Sequence, residues 1–353
     1  MAELEEDPRR TEMPTTSIVA NHGSSIPFRS VGSFSIPAII TGMWQVAGGH
    51  GKIDQKKAVE EMKQYAFAGL GVFDLADIYG PAEEIYGKFL REYLGANLVL
   101  GFTKFVPRYG SSGTNTREVV ESSIDRSRKR MGVSTLDMVQ FHWWDYRDVH
   151  YFDSMKLLYT LKLEGKIKEL GLTNFDTLHM AKLYEECAIP IVSNQVAYSI
   201  IDRRPEKKMV AWCLKHNVKI LAYGSLLGGF LSEKYLGRPE PQRYELTTQS
   251  LSKYKRTIDQ WGGWMLFQEL LLVLSQIADK HKVSISNVAV RYIADKPAVA
   301  AVIIGARLSI AEHITSNQAT FSFPGLDQGD VALIHAVVEK GNGIAGDCGD
   351  EYR

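Results

Sequence analysis

Short apolar runs alternate with longer stretches of helical period along the middle of the chain. The runs are Pro37 to Ile40, Gly71 to Phe73, Leu98 to Leu100, Leu136 to Phe141, Ile167 to Leu172, Pro190 to Val192, Val218 to Ala222 and Ala298 to Ile304. They are short and apolar, as strands buried on both faces should be. Between them, Lys56 to Ala68, Pro81 to Tyr93, Val149 to Leu163, Thr177 to Glu186, Glu206 to Lys215 and Trp264 to His281 read as helices. Asn115-Thr116-Arg117-Glu118 forms an N-terminal box with Asn115 as the expected cap, and Val119, Val120, Ile124 and Met131 follow at helical spacing. Eight such units in about 290 residues predict an α/β fold, a closed (β/α)8 TIM barrel. Ser25 to Pro37 is expected to form a hairpin ahead of the first barrel strand. The stretch from Leu231 to about Gly263 is long for a connection after the seventh strand, and long ordered loops tend to be functional. Residues 1–24 lack hydrophobic period and read as a disordered lead. Residues 25–340 read as one barrel domain and 341–353 as a flexible tail.

Composition narrows the function classes. Lys and Arg total 41 against 41 Asp and Glu, so no basic excess marks a nucleic-acid binder. No run approaches the roughly 18 apolar residues that span a bilayer. Cys187, Cys213 and Cys348 are odd in number and far apart, which fits a reducing compartment. The first residues are acidic and polar with no apolar core, so the expected location is cytoplasmic. No heptad or apolar stripe indicates an oligomeric state.

In such barrels chemistry sits at the carboxyl ends of strands. The second strand ends in Asp74, within Phe73-Asp74-Leu75-Ala76-Asp77-Ile78-Tyr79-Gly80; the third ends in Lys104 and the fourth in His142. Each residue alone has an ordinary structural use. On three consecutive strand ends they fit one reaction. Delivering a hydride to a carbonyl leaves an alkoxide that needs a proton. Tyr79 can donate it once a nearby ammonium, Lys104, stabilises the phenolate. Asp74 positions Lys104 and keeps it charged. His142 is expected to donate a hydrogen bond to the carbonyl oxygen. A glycosidase would need two carboxylates about 5 to 10 Å apart, for which Asp74 and Asp77 are the obvious rim pair, but Lys104 better explains Asp74. A metal hydrolase would need several ligands, and His142 is isolated, so no metal is expected.

These residues resemble the aldo-keto reductases over roughly residues 35 to 320. Asp-x-Ala-x-x-Tyr-Gly from Asp74 to Gly80, followed by Lys104 and His142, matches the family tetrad in order and spacing. Gly171-Leu172-Thr173-Asn174-Phe175, Ser193-Asn194-Gln195-Val196, Tyr198 to Glu206, Ile220 to Tyr223, Gly228 to Leu231 and Ile303 to Arg307 continue the match. The resemblance implies an NADPH (NADP+) cofactor bound without a Rossmann domain, and the sequence holds no GxGxxG. It further implies that Thr173, Asn174 and Gln195 hold the carboxamide and that Tyr223 stacks on the nicotinamide. Ser225 and Leu226 would lie along the pyrophosphate. Gly305, Arg307, Ser309, His313 and Asn317 would hold the adenosine phosphate, with Ser309 at a helix start and Arg307 on the 2′-phosphate. Thr173 stands where the family often has Ser, Gly224-Ser225 where it has Ser-Pro, and His313 where it has Arg. Trp44, Trp143 and Trp144 are the candidate wall for a small carbonyl or alcohol substrate, with a hydrophobic or aromatic aldehyde or ketone favoured. The rival implied by the same resemblance is a redox-sensing regulatory subunit that binds NADPH with little turnover.

Overall fold

Eight parallel strands close on themselves in a computed structural model of the chain, which describes residues 26–108 and 115–353. The expected lead, residues 1–24, lies outside them. In chain order the strands are β1 (Phe28–Val31), β2 (Phe34–Pro37), β3 (Ile39–Gly42), β4 (Val72–Asp74), β5 (Leu100–Phe105), β6 (Leu136–Phe141), β7 (Ile167–Thr173), β8 (Ser193–Ala197), β9 (Lys219–Tyr223) and β10 (Val299–Gly305). β3 to β10 form the barrel in sequence order, and β10 closes on β3 with Ile303 opposite Ile40 and Gly305 opposite Gly42. Helices follow the barrel strands and cover the outside, so both strand faces are buried and the strands read as apolar runs.

β1 and β2 form the expected antiparallel hairpin, turned at Gly32 with φ +56°. Val31 and Ile36 join the interior residues Ile40, Val72, Phe102, Met138, Leu221 and Ile303 in one apolar cluster. Arg29 donates to the carbonyls of Ala294 and Val299, at the start of β10. The hairpin therefore stops the amino-terminal mouth of the barrel with hydrocarbon. The carboxyl-terminal mouth is left for polar side chains.

Three elements differ from the sequence reading. The third and sixth barrel strands lie further along the chain than the expected 98–100 and 190–192. Their inward residues include Lys104 on β5 and Gln195 on β8, and polar residues near the mouth break the apolar run. The helix Arg117–Met131 is capped by Thr116, whose extended backbone lets its hydroxyl accept from the Val119 N–H, rather than by Asn115. Asn115 donates instead to Ser154. Third, the segment after β9 contains a full helix, Gln249–Trp261, capped by Thr248. Its buried Ser250, Tyr254 and Ile258 recur every four residues and face the barrel. It approaches the backbone of Gly224 and Gly228 closely: a Cβ on Gly224 would lie 2.7 Å from the Tyr254 hydroxyl.

Residues 341–353, expected as a flexible tail, fold back over the carboxyl-terminal mouth. Arg204, buried and paired with Asp202 at 2.7 Å, also binds Glu351 at 2.7 Å and the Asp347 carbonyl at 2.9 Å. Cys348 is buried. Gly349 has φ +85° and lies so close to the Asn174 carbonyl that any Cβ would collide with it. Polar and glycine-rich composition concealed these long-range ties. Among the described residues no helix is long and apolar enough to cross a membrane.

Gly349→Val adds a β-branched side chain at a left-handed position and drives it into Asn174. Amide exchange of residues 346–353 should rise by about tenfold or more while barrel strands keep their protection. Unchanged exchange in the tail would show that this close approach does not hold it.

Candidate active site

β4, β5 and β6 lie side by side, and each ends at the same rim. Asp74 closes β4 and Lys104 is the penultimate residue of β5; both are 4% exposed. A charge buried that deeply needs its hydrogen-bonding capacity filled. Lys104 Nζ donates to both oxygens of Asp74 at 2.8 Å and to the Leu75 carbonyl at 2.7 Å. Asp74 Oδ1 also accepts from Gln140 at 3.0 Å and from Gln195 at 2.7 Å. Gln195 donates to Gln140 as well, which ties β8 to β6 beneath the pair. Burial pushes the Lys104 ammonium down from its ordinary range, and Asp74 opposes that shift.

Tyr79 sits on the loop after β4. Lys104 Nζ is 4.6 Å from the centre of its ring. Burial first, then the negative charge of Asp74, hold the phenol well above its ordinary pKa, so its proton is secure until a base develops beside it. His142 follows β6, and its Nδ1 is 3.2 Å from the Thr173 carbonyl. Burial, its largest cause, pushes its pKa down to about 4, so the ring is neutral at ordinary pH. A carbonyl partner places the single ring proton on Nδ1. Nε2, which has no hydrogen-bond partner among the described residues, then presents a lone pair. The expected donation from His142 to a carbonyl oxygen would require the other tautomer.

One cavity of about 580 Å³ holds this rim. Its wall includes Asp74, Tyr79, Lys104 and His142, then Thr173, Asn174, Gln195, Tyr223, Ser225 and Leu226, then Gly305, Arg307, His313 and Asn317. The structure thus brings the tetrad together with all but one of the expected cofactor residues. Asn174 takes a left-handed backbone (φ 59°), and its Oδ1 accepts from the Tyr223 hydroxyl at 2.8 Å. The lining is suited to a long dinucleotide. It runs from the β4–β6 rim past the β9 loop to the segment after β10. Gly224 and Gly228 leave bare backbone at two points of that loop, and the buried Arg307 Nε has no partner among the described residues.

Two candidates fall outside the wall. Ser309 is not at a helix start: it lies in a turn with φ +67°, and the next helix is Ile314–Ala319. Its N–H donates to Glu61 at 2.6 Å and its hydroxyl accepts from the Asp54 N–H at 2.9 Å. Trp143 is buried against Phe141 and Tyr151 and donates to the carbonyls of Asp145 and Asp148. His142 and Trp144 line the cavity, whereas Trp143 is packed away from it. Trp44 and Trp144 do line it, as do Tyr235 and Tyr254, whereas Tyr244 is exposed and Trp261 is packed in the core. The sequence reading missed Gln140, His50, Lys253 and Tyr352. His50 and Lys253 come from long connections, and Lys253 donates to the Tyr352 hydroxyl at 2.5 Å. The Tyr352 ring centre is 6.0 Å from that of His142. Only Gln140 carried a signal: it is an amide inside the strand run Leu136 to Phe141, two residues before His142.

The Aldo/keto reductase family model matches residues 38–339. Flagellar radial spoke protein 5 of Chlamydomonas reinhardtii is 29% identical over 255 residues, 62% of this chain. The chain spans about half, 48%, of that relative's length. L-glyceraldehyde 3-phosphate reductase of Escherichia coli O157:H7 is 27% identical over 322 residues, covering 84% of this chain and 88% of the relative. A glycerol dehydrogenase from Gluconobacter oxydans shares the fold, with a TM-score of 0.75 and 22% identity over 92% of this chain and 98% of its own.

Lys104→Met leaves Asp74 charged, buried and short of its cation. Its unfolding free energy in urea should drop by about 3–5 kcal/mol, and adding Asp74→Leu should recover much of that. A loss no larger than that of a surface lysine would remove the pair's role in the fold. The His142 pKa lies below its ordinary value of 6.5, so the folded chain binds fewer protons than the unfolded chain between pH 6.5 and about 4. Its stabilising contribution is complete above that window and fades as pH falls through it. His142→Gln should flatten the decline of unfolding free energy there, and an unchanged slope would assign the decline to other groups.

Proposed function

The chain belongs to the Aldo/keto reductase family, oxidoreductases acting on carbonyl groups, and from that premise we propose that it reduces an aldehyde or ketone to an alcohol, reversibly, with NADPH as reductant. Thr173, Asn174 and Gln195 would hold the nicotinamide carboxamide and Tyr223 the ring. Ser225 and Leu226 would follow the pyrophosphate. Gly305, Arg307, His313 and Asn317 would take the adenosine phosphate end. When bound, NADPH supplies the hydride.

The observation that carries the reading is the buried Asp74–Lys104 pair with its ammonium 4.6 Å from the Tyr79 ring centre. Alone, a buried phenol is a very poor acid. As negative charge builds on a carbonyl oxygen in the cavity, Tyr79 gives up its hydroxyl proton to it. The phenolate left behind is stabilised by Lys104, which Asp74 keeps charged and in place. Gln140 and Gln195 hold Asp74, so the ammonium is aimed before any substrate arrives. With its proton on Nδ1, His142 acts through Nε2 as an acceptor. It can take a hydrogen bond from a hydroxyl beside the reacting carbonyl, and so orient the substrate. Trp44 and Trp144 supply the apolar wall that excludes water and favours a small hydrophobic or aromatic carbonyl.

The test follows NADPH absorbance while aromatic aldehydes, ketones, imines and sugars are added. Tyr79→Phe should cut turnover roughly 10²–10⁴-fold, and NADPH affinity should stay within about threefold. Wild-type turnover in that variant would remove Tyr79 from the role of acid. Tight NADPH binding with no carbonyl consumed would leave the redox-sensing role instead. Arg307→Ala should weaken NADPH binding by about tenfold or more and NADH binding hardly at all, because only NADPH carries the 2′-phosphate. Equal loss for both would place Arg307 elsewhere on the dinucleotide.

A further inference from the structure

Asp77 stands between Asp74 and Tyr79 in the chain and has no part in the chemistry above. Its Oδ2 accepts from the backbone N–H of Val106 at 3.2 Å. Val106 follows β5, two residues after Lys104, and lines the cavity. The main-chain carbonyl of Asp77 accepts from Arg130 on the helix Arg117–Met131 at 3.3 Å, and the same guanidinium pairs with Glu83 and Glu84. Oδ1 of Asp77 is buried and has no hydrogen-bond partner among the described residues.

We propose that Asp77 is a positioning residue for the reduction: its carboxyl pins the Tyr79 loop to the strand end that carries Lys104, and its charge sets how readily Tyr79 releases a proton. The inference rests on Tyr79 being the acid. A donor on a loop needs such a tie, because a misplacement of about 1 Å can cost on the order of a hundredfold in rate. Most buried carboxylate oxygens are hydrogen-bonded, and Oδ1 of Asp77 is one of the few among the described residues that are not. The bare Oδ1 means that ionising this group puts a poorly solvated negative charge beside the phenol and the ammonium.

The groups around Asp77 determine the sign. Burial is the largest influence and favours the neutral acid. Glu83, on the helix Ala82–Glu92, works in the same direction. The Val106 N–H, Arg126 on the helix Arg117–Met131 and Lys104 on β5 oppose it. Asp74, at the end of β4, and Tyr79, on the same loop, lie on either side of it in the chain. The carboxyl is pushed up to about 7, so Asp77 is neutral in mild acid and charged above neutrality. Once charged, it raises the pKa of both Tyr79 and Lys104. The phenol then gives up its proton less readily, and reduction slows as pH rises.

The experiment measures kcat for carbonyl reduction against pH at saturating NADPH in the wild type, Asp77→Asn and Asp77→Leu. Asparagine keeps the acceptor for Val106 and removes the charge. Leucine removes both. Wild-type kcat should fall about three- to tenfold from roughly pH 6 to 8, and Asp77→Asn should be flat across that range. Asp77→Leu should lose about tenfold or more in kcat at every pH while NADPH affinity stays within about twofold. The same fall in Asp77→Asn, or an unchanged kcat in Asp77→Leu, overturns the proposal. If Asp77→Leu does not fold, the Asn variant still decides it. If no carbonyl is reduced even by the wild type, the proposed activity fails. The Asp77 carboxyl resonance, identified by its loss in Asp77→Asn, then gives a separate answer. Titration near neutrality supports the proposal, and titration in the ordinary aspartate range overturns it.

Discussion

A lysine and an aspartate buried together inside a barrel mouth impose most of the rules that this site obeys. Neither charge can be left without partners, because both are almost wholly withdrawn from solvent. The Asp74 carboxylate therefore draws Gln140 and Gln195 to it from two other strands, and Lys104 reaches both Asp74 oxygens and the Leu75 carbonyl. Four barrel strands are locked to one another by that requirement. The same network sets an ammonium 4.6 Å from the centre of the Tyr79 ring, so the bonds that satisfy burial are also those the proposed proton transfer would use. The cost is steep sensitivity: removing one partner leaves a charge stranded.

The barrel is divided along its axis between hydrocarbon and polar chemistry. At the amino-terminal mouth the β1–β2 hairpin completes an apolar plug. At the carboxyl-terminal mouth the inward side chains turn to Asp74, Lys104, Gln140 and Gln195. The plug supplies burial without specificity, and the mouth supplies specificity that burial alone could not support. Two later segments close the mouth from outside, the helix Gln249–Trp261 and the carboxyl-terminal tail. Both approach bare backbone, at Gly224 and Gly228 for the helix and at Gly349 for the tail. Glycine at these points is what allows an extra layer to lie on the rim at all.

Most of the barrel, and the shared rim of Asp74, Lys104 and His142, were legible along the chain because both follow from local order. Apolar runs separated by helical stretches imply a parallel sheet with covered faces, and strand ends in such a fold share one rim. What failed to show was of two kinds. The third and sixth barrel strands were placed too early because their residues near the mouth are polar, among them Lys104 and Gln195, which line the cavity. Ser309 was expected at a helix start from its place in the motif, but the chain makes a turn there and enters its helix only at Ile314. Trp143 was grouped with Trp44 and Trp144 by type, whereas its ring is buried against Phe141 and Tyr151, away from the cavity.

The amino-acid sequence by itself determined the barrel, its chain order and the family, and it pointed to one rim for Asp74, Tyr79, Lys104 and His142. Period, composition and motif spacing are properties of neighbouring residues, and they survive without coordinates. Only the tertiary structure decided which ring nitrogen of His142 bears the proton, because that depends on the Thr173 carbonyl 31 positions away. Only it seated the tail, through Arg204 and Glu351, which are 147 residues apart. Only it gave Asp77 its tie to Val106 and its unbonded oxygen. Such contacts leave no periodic trace in the chain. They arise because closing a barrel brings distant residues to one rim, where burial makes every unpaired polar atom count.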